Sequence, residues 1–97
     1  MYYEYMINKV VISRKARKSL KKVPFYIVVK LQAWVNDVEV QGLEGVRKVP
    51  GWHDEPLHGK GKGQRSIRLS KSYRAIYVIK EAQIEFVSIE EVHKHGY

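Results

Sequence analysis

Hydrophobic positions in the first half of the chain follow the spacing of a strand and then of a helix. The β-branched run at positions 10–12 predicts a strand within residues 5–12. Ser13 follows as a helix-capping residue, and Ala16, Leu20 and Val23 recur at three- and four-residue steps. This pattern predicts a short first helix, which ends before Pro24.

A second, wider apolar stripe starts after Phe25 and predicts a longer helix. Its members are Ile27, Val28, Leu31, Trp34, Val35 and Val38. Gly42 is typical of a C-terminal stop and predicts where this helix ends. The two helices would form a hairpin, with Trp34 in the core.

The second half of the chain changes to a loop followed by strands. Glycine and proline are concentrated at 49–63, which predicts a loop. Runs rich in Ile, Val, Tyr and Phe at 64–70, 73–80 and 84–89 predict three strands joined by short turns. The expected fold is therefore α+β: two N-terminal helices packed on one face of a mainly antiparallel four-stranded sheet, in the order β-α-α-β-β-β. No repeat or linker interrupts the sequence, so we expect one domain over residues 1–97.

The composition adds a strong basic charge to this picture. The 97 residues carry a formal net charge of +8, and the usual partner of so small a basic domain is a polyanion. The absence of cysteine excludes disulfides and zinc–thiolate sites and fits a reducing cytosol. No apolar run is long enough to cross a bilayer, and the aromatic, acidic start of the chain is unlike a secretion signal. We therefore expect no membrane partner.

The first candidate site is a run of six cations that no acidic residue interrupts, namely Lys60, Lys62, Arg65, Arg68, Lys71 and Arg74. Arg68 alternates with Ile67 and Leu69, so it leaves the opposite face of its strand. Arg74 lies near the next hairpin turn and is expected to converge with Arg68. Guanidinium groups on one sheet face would bind phosphate through their planar forks. The alternative is a solvated basic edge that prevents strand pairing between molecules, but the net charge favours the phosphate site.

The second candidate site is the C-terminal segment, which contains His93, Lys94, His95 and Tyr97. Imidazole titrates near neutral pH and can transfer a proton in a cleavage step. A tyrosine can stack on an unpaired base or orient it. The alternative is a frayed tail without a role, but the preceding strand is placed to return these side chains to the face of Arg68 and Arg74.

Two further groups of residues carry weaker signals. The loop cluster of His53, Asp54, Glu55 and His58 has the residue types of a metal site but no standard zinc spacing, so we expect no metal. Asp54 or Glu55 is instead expected to serve as a base, as a partner of a basic residue or as a loop cap. The first helix carries Arg14, Arg17 and Lys18 among its basic residues, which suit either contact with an RNA backbone or a solvated helix face.

Taken in order, these segments resemble the RelE/ParE superfamily of bacterial toxins. The opening 9–24 is similar to the family's first strand and helix. The segment 54–59 resembles its PL-x-G loop, 62–69 its R-x-x-R strand and 73–77 its YR-x-x-Y strand. The closing 93–97 is similar to the tails of the nuclease branch. Glu55 stands where another branch of the family uses a histidine.

The resemblance implies the toxin of a type II toxin–antitoxin pair in the bacterial cytoplasm. Nucleases of the RelE, YoeB, YafQ and HigB kind enter the ribosomal A site, where 16S rRNA and mRNA are exposed, and cut the codon without a metal or other cofactor. Their products carry a 2′,3′-cyclic phosphate and a 5′-hydroxyl. The toxin would be monomeric alone and would form a hetero-oligomer with its cognate antitoxin.

Roles for individual residues follow from the same resemblance. Arg68, with Arg65 or Arg74, would stabilise the charge that develops on the phosphate. His95 would be the acid or base, with His93 as its rival, and Tyr97 would orient a base. Contacts with the RNA backbone would come from Lys60, Lys62, Lys71, Lys94, Arg14, Arg17 and Lys18.

Two alternatives to the nuclease remain. The first is a ParE-type inhibitor of DNA gyrase with the same fold, and the second is a non-catalytic or degenerate toxin homologue that binds RNA without cutting it. The gyrase branch needs no proton-transfer group at the C-terminus, so the His, Lys and Tyr residues there favour the nuclease.

Overall fold

The computed structural model describes residues 6–92 of the chain, apart from the side chain of Lys60. It confirms the α+β class, with two helices and a mixed sheet. The elements are β1 (Val10–Ile12), α1 (Arg14–Leu20), α2 (Phe25–Arg47), β2 (Glu55–Pro56), β3 (Arg65–Arg68), β4 (Tyr73–Lys80) and β5 (Gln83–Glu91), with 3-10 turns at Pro50–Trp52 and Gly59–Gly61.

The sheet has five strands rather than the predicted four, in the order β1-β5-β4-β3-β2. β1 runs parallel to β5, and the other neighbours are antiparallel. The additional strand, β2, lies inside the predicted loop 49–63 and pairs Glu55 with Ser66 and Pro56 with Arg65. Two residues are too few to leave an alternating hydrophobic pattern in the sequence, which is why the loop assignment missed this strand.

Ser13 caps the start of α1, as predicted: its hydroxyl oxygen accepts a hydrogen bond from the backbone N–H of Ala16 at 3.1 Å. The sequence predicted a stop at Gly42, and the regular helix is interrupted at this residue. Gly42 adopts φ 81° and ψ 159° and kinks the helix, which then continues to Arg47. Beyond the kink, Leu43 and Val46 are at most 1% exposed, so burial of apolar side chains stabilises a further helical turn.

The core lies between α2 and one side of the sheet, which we call the helix face. α2 contributes the apolar stripe that includes Ile27, Leu31, Trp34 and Val38, all at most 2% exposed. Trp34 is a core residue, as predicted: its ring lies 5.4 Å from that of Tyr77 and 5.2 Å from that of Phe86. Aromatic pairs at such distances stabilise a core beyond the area that they bury.

The other side of the sheet, the open face, carries polar residues. Across β3, β4 and β5 these are Ser66, Arg68, Arg74, Ser88 and Glu90. An irregularity in the pairing of β4 with β5 sets Tyr77 opposite Phe86 but Ile76 opposite Ser88, which leaves Val87 as an extra residue. This bulge reverses the alternation, so Phe86 faces the helices while Ser88 and Glu90 lie on the open face.

Within the described residues, no helix is both long enough and apolar enough to cross a membrane.

Candidate functional site

A groove of about 180 Å³ lies on the open face, next to the turn that joins β3 to β4. Its polar lining includes His53, Glu55, Ser66, Arg68, Lys71 and Arg74. Arg68 and Arg74 are direct partners in the β3–β4 register, and side chains of directly opposite residues share a face about 5 Å apart at their β-carbons. The structure thus brings together the two arginines that the sequence placed on one face.

The two arginines differ in what neutralises their charge. Nε and Nη2 of Arg74 both donate to Oε1 of Glu90, at 3.3 and 3.1 Å, and the hydroxyl of Ser88 donates to Oε2 of the same carboxylate at 3.2 Å. Within residues 6–92, no ion pair is found for Arg68 or Lys71. These two cations therefore give the groove its available positive charge, while Glu90 fixes the orientation of Arg74.

Arg65 does not join this cluster, contrary to the expectation that it might act beside Arg68. It pairs in register with Tyr77, so it lies on the helix face. Nε of Arg65 donates to Oδ1 of Asp54 at 2.6 Å, and its Nη2 donates to the backbone carbonyl of Asp54 at 3.4 Å. The reason is strand alternation: residues three apart on one strand point to opposite faces.

The phenol of Tyr77 completes a buried polar cluster, which we call the Asp54 clamp (Asp54, Arg65 and Tyr77). Its hydroxyl donates to Oδ2 of Asp54 at 2.5 Å, and the side chain of Asp54 is 0% exposed. Burial, reinforced by the neighbouring carboxylate, raises the pKa of Tyr77 well above its ordinary value. Burial disfavours the charged form of Arg65, but the hydrogen bond and charge of Asp54 outweigh this and raise the pKa of Arg65.

The structure separates the members of the predicted loop cluster. Asp54 is the partner of a basic residue, one of the roles that the sequence suggested, whereas Glu55 and His53 line the groove. His58 is exposed and precedes the turn at Gly59–Gly61. In the part of the chain that the structure describes, no group of three or more His, Cys, Asp or Glu residues is placed to hold a metal ion.

The remaining predicted site residues lie elsewhere or outside the described chain. Arg14, Arg17 and Lys18 are exposed on α1 and line a separate surface depression with Leu20 and Lys21. Lys62 is exposed after the turn that contains the backbone of Lys60. The C-terminal candidates, His93, Lys94, His95 and Tyr97, lie outside the described residues. The last described residue, Val92, lines the groove, and its N–H donates to the carbonyl of Ser72 at 2.6 Å.

Sequence reasoning missed Ser66 and Glu90. Ser66 is 8% exposed and lies between Glu55 and Ile76 across the sheet, and the alternation that placed Arg68 on the open face also applies to Ser66. No comparable signal existed for Glu90, because the bulge in β5 decides which face it occupies.

No protein-family model matches the chain, and no curated protein sequence matches it. Solved structures with the same fold are nevertheless found. Their toxins are of the RelE, YoeB and YafQ type from toxin–antitoxin systems, and they cover most of the chain.

Three of these structures illustrate the likeness. The RelBE2 toxin–antitoxin complex of Mycobacterium tuberculosis matches with a TM-score of 0.64 and 19% identity, over 88% of this chain and 98% of the other. YafQ from Escherichia coli BL21(DE3) matches with a TM-score of 0.70 and 17% identity, over 87% of this chain and 92% of the other. The heterotetrameric YoeB–YefM complex of Staphylococcus aureus matches with a TM-score of 0.64 and 18% identity, over 89% of this chain and 97% of the other. At these identities the likeness establishes the fold alone.

Proposed function

We propose that this chain, which has the fold of the RelE-type toxins, is the toxin of a type II toxin–antitoxin pair and cuts messenger RNA in the ribosomal A site. Its 97 residues act as a single domain in the bacterial cytoplasm. The observation that carries the proposal is the groove, which sets two arginines and a lysine beside an exposed carboxylate and an imidazole. This combination suits the cleavage of RNA through its own 2′-hydroxyl.

The reaction forms a bond between the 2′-oxygen and phosphorus and breaks the bond between phosphorus and the 5′-oxygen. Negative charge grows on the non-bridging oxygens as the phosphorane forms. The exposed guanidinium of Arg68 is our choice for stabilising that charge, since it lines the groove and has no ion pair within residues 6–92. Lys71 adds a second positive charge at the rim, and Arg74, held by Glu90, contributes less.

A base must accept the proton of the 2′-hydroxyl, and we assign this role to Glu55. Its carboxylate lines the groove, while the neighbouring Asp54 is buried and already accepts two hydrogen bonds from side chains. Of these two carboxylates, Glu55 is therefore the one that is accessible to RNA.

An acid must protonate the departing 5′-oxygen, and we assign this role to His95, with His93 as the rival and Tyr97 orienting a base. The support is the resemblance of the tail, together with the position of Val92 on the groove, one residue before His93. His53 is the imidazole among the described residues that lines the groove. It is the next candidate for this proton. The products would be a 2′,3′-cyclic phosphate and a 5′-hydroxyl.

The chain would hold the ribosome and mRNA through cations outside the groove, and an antitoxin would block it. Lys60, Lys62, Lys94, Arg14, Arg17 and Lys18 are the proposed contacts with the RNA backbone. The RelBE2 and YoeB–YefM neighbours were solved as toxin–antitoxin complexes. By analogy we propose a monomeric toxin whose antitoxin carries an acidic segment that complements the net charge of +8.

The test is to add purified protein to a translating extract and to map mRNA 5′ ends by primer extension. We expect cuts within codons on translated message only. Arg68→Ala should slow cleavage by roughly 10²- to 10³-fold, and His95→Ala by roughly 10²- to 10⁴-fold. Lys80→Ala, which removes an exposed cation at the far end of β4, is the matched control and should cut normally.

Each other outcome points to a different conclusion. Cleavage that persists in His95→Ala would move the acid to His93 or His53. An absence of cuts with translation intact would refute the nuclease, and inhibition of gyrase supercoiling would then identify the ParE-type activity instead.

A further inference from the structure

The segment that carries Glu55 and His53 alternates between buried and exposed side chains. Trp52 is 8% exposed, and the side chain of Asp54 is 0% exposed. His53 and Glu55, between and after them, are exposed and line the groove. The buried residues thus attach segment 52–55 to the protein, while the intervening residues present an imidazole and a carboxylate to the groove.

Backbone contacts alone would hold this segment weakly. β2 has two paired residues, and His53 has a left-handed conformation with φ 48°, which is unfavourable for a residue with a β-carbon. The N–H groups of Trp52 and His53 donate only within the preceding turn, at 3.2 and 3.1 Å. A short edge strand next to a turn is typical of a part of the chain that opens easily.

The Asp54 clamp supplies a polar anchor for this segment, in addition to the apolar contact of buried Trp52. Asp54 accepts from Arg65 of β3 at 2.6 Å and from Tyr77 of β4 at 2.5 Å, and charge-assisted hydrogen bonds to a buried carboxylate are strong and directional. The ring of Tyr77 is fixed in turn by Trp34 and Phe86, at 5.4 and 5.7 Å. The position of segment 52–55 is thereby tied to β3 and β4, the strands that carry Arg68 and Arg74.

We propose that Asp54 is a positioning residue for the groove: its contacts with Arg65 and Tyr77 on the helix face hold Glu55 and His53 opposite Arg68 on the open face. The expected effect on cleavage rests on the proposed function, whereas the positioning of segment 52–55 by Asp54 does not depend on it. Asp54 touches no substrate in this scheme and acts through Glu55. Because catalytic geometry tolerates little displacement, loss of the clamp should lower the rate of cleavage more than the affinity for RNA.

The experiment compares Asp54→Asn with Val38→Ala, a control that weakens the core of α2, where Val38 is 0% exposed. NMR order parameters of the backbone at residues 53–55 are measured first, below the melting temperature of each variant. We expect values typical of a rigid backbone, about 0.85, in the native protein and in Val38→Ala, and a fall toward about 0.6 in Asp54→Asn. Unchanged order parameters in Asp54→Asn would refute the proposal, whether or not the protein cuts RNA.

Cleavage of translated mRNA provides the second measurement. Asp54→Asn should lower kcat by roughly 10²-fold with little change in KM, while Val38→Ala keeps the native kcat. In a Glu55→Gln background, Asp54→Asn should add almost no further loss, because a residue that acts through Glu55 has nothing left to position. Losses that multiply in the double variant would overturn the proposal.

A second variant, which keeps the positive charge of the clamp, tests the proposal even if Asp54→Asn does not fold. Arg65→Lys retains one charged partner for Asp54 but lacks the guanidinium fork. We expect it to fold and to show the same changes in weaker form. If Arg65→Lys leaves both the order parameters and kcat at native values, the clamp does not position the groove. If native protein fails to cut mRNA while Asp54→Asn still loosens residues 53–55, the proposed function fails and the positioning role stands.

Discussion

Arg65 and Arg68 lie three positions apart in the sequence yet have unrelated environments. Arg68 is exposed on the groove, and Arg65 is paired with a fully buried carboxylate on the other face of the sheet. The alternation of β3 accounts for both positions. Applied to Arg68 alone, it correctly predicted the open face, and applied to Arg65 it would have excluded that residue from the phosphate site.

The buried phenol of Tyr77 leads to a prediction about alkaline stability. Its pKa is raised above the ordinary value of 10.0 by burial and by Asp54, so above about pH 10 the unfolded chain releases this proton while the folded chain retains it. The stabilisation is therefore present below pH 10 and is lost as the pH rises. We expect the free energy of unfolding to fall by about 1.4 kcal/mol per pH unit more in the native protein than in Tyr77→Phe.

Urea unfolding at several values between about pH 9 and 11 measures this difference. Tyr26→Phe is the control, because it also removes a phenolic hydroxyl but at a residue that is 59% exposed and outside the Asp54 clamp. It should keep the native slope. Equal slopes in the native protein and in Tyr77→Phe would contradict the prediction.

At the scale of elements, the predicted stop at Gly42 interrupts α2, and burial of apolar side chains stabilises a further helical turn beyond it. The sequence pattern identified Gly42 as a special position, and the structure gives it φ 81° and ψ 159° there. The N–H of Leu43 donates to the carbonyl of Ile7 at 2.8 Å instead of continuing the helical pattern. The last turn of α2 then packs Leu43 and Val46 into the core.

Replacement of Gly42 by alanine should therefore destabilise the protein. A β-carbon on Gly42 would lie 2.8 Å from Cγ of Met6, and its φ is one that residues with a β-carbon rarely adopt. We expect Gly42→Ala to lower the free energy of unfolding by about 1–3 kcal/mol, which should lower the melting temperature by more than about 4 °C. Thermal unfolding followed by circular dichroism measures it.

Gly45→Ala is the matched control on the same helix. Gly45 has helical backbone angles, and an added β-carbon would meet the side chain of the exposed Gln41, whose oxygen Oε1 lies nearest at 3.1 Å. Because Gln41 can move, alanine should raise stability by up to about 1 kcal/mol through its helix propensity. A melting temperature that falls equally in both variants would show that the kink at Gly42 is not the cause.

At the scale of the whole molecule, two groups of basic residues lie on separate surfaces. Arg68 and Lys71 line the groove on the open face, whereas α1 packs on the opposite side of the sheet, where Ala16 enters the core. If the chain binds a large RNA, as proposed, the basic residues of α1 and the groove would contact different parts of it. For the basic residues of α1, the sequence left two interpretations open: contact with an RNA backbone, or a helix face that only solvent contacts.

Salt dependence distinguishes these interpretations. If α1 contacts ribosomal RNA, replacement of Arg14, Arg17 and Lys18 by glutamine should lower the slope of log affinity against log salt by about two to three. The slope is measured as binding to purified ribosomes between about 50 and 200 mM salt. Replacement of Lys9, Lys48 and Lys80 by glutamine removes the same charge from exposed positions elsewhere and is the control. Equal slopes for the two triple variants would mean that α1 is a solvated face.

The sequence by itself determined the two helices, four of the five strands, the α+β class, the core position of Trp34 and the shared face of Arg68 and Arg74. All of these depend on local periodicity, which the chain encodes within a few residues. The tertiary structure alone decided the pairing of β2, the face of Glu90 and the separation of Asp54 from Glu55. Each depends on pairing between segments distant in the chain or on one extra residue in a strand, which reverses every side chain that follows it.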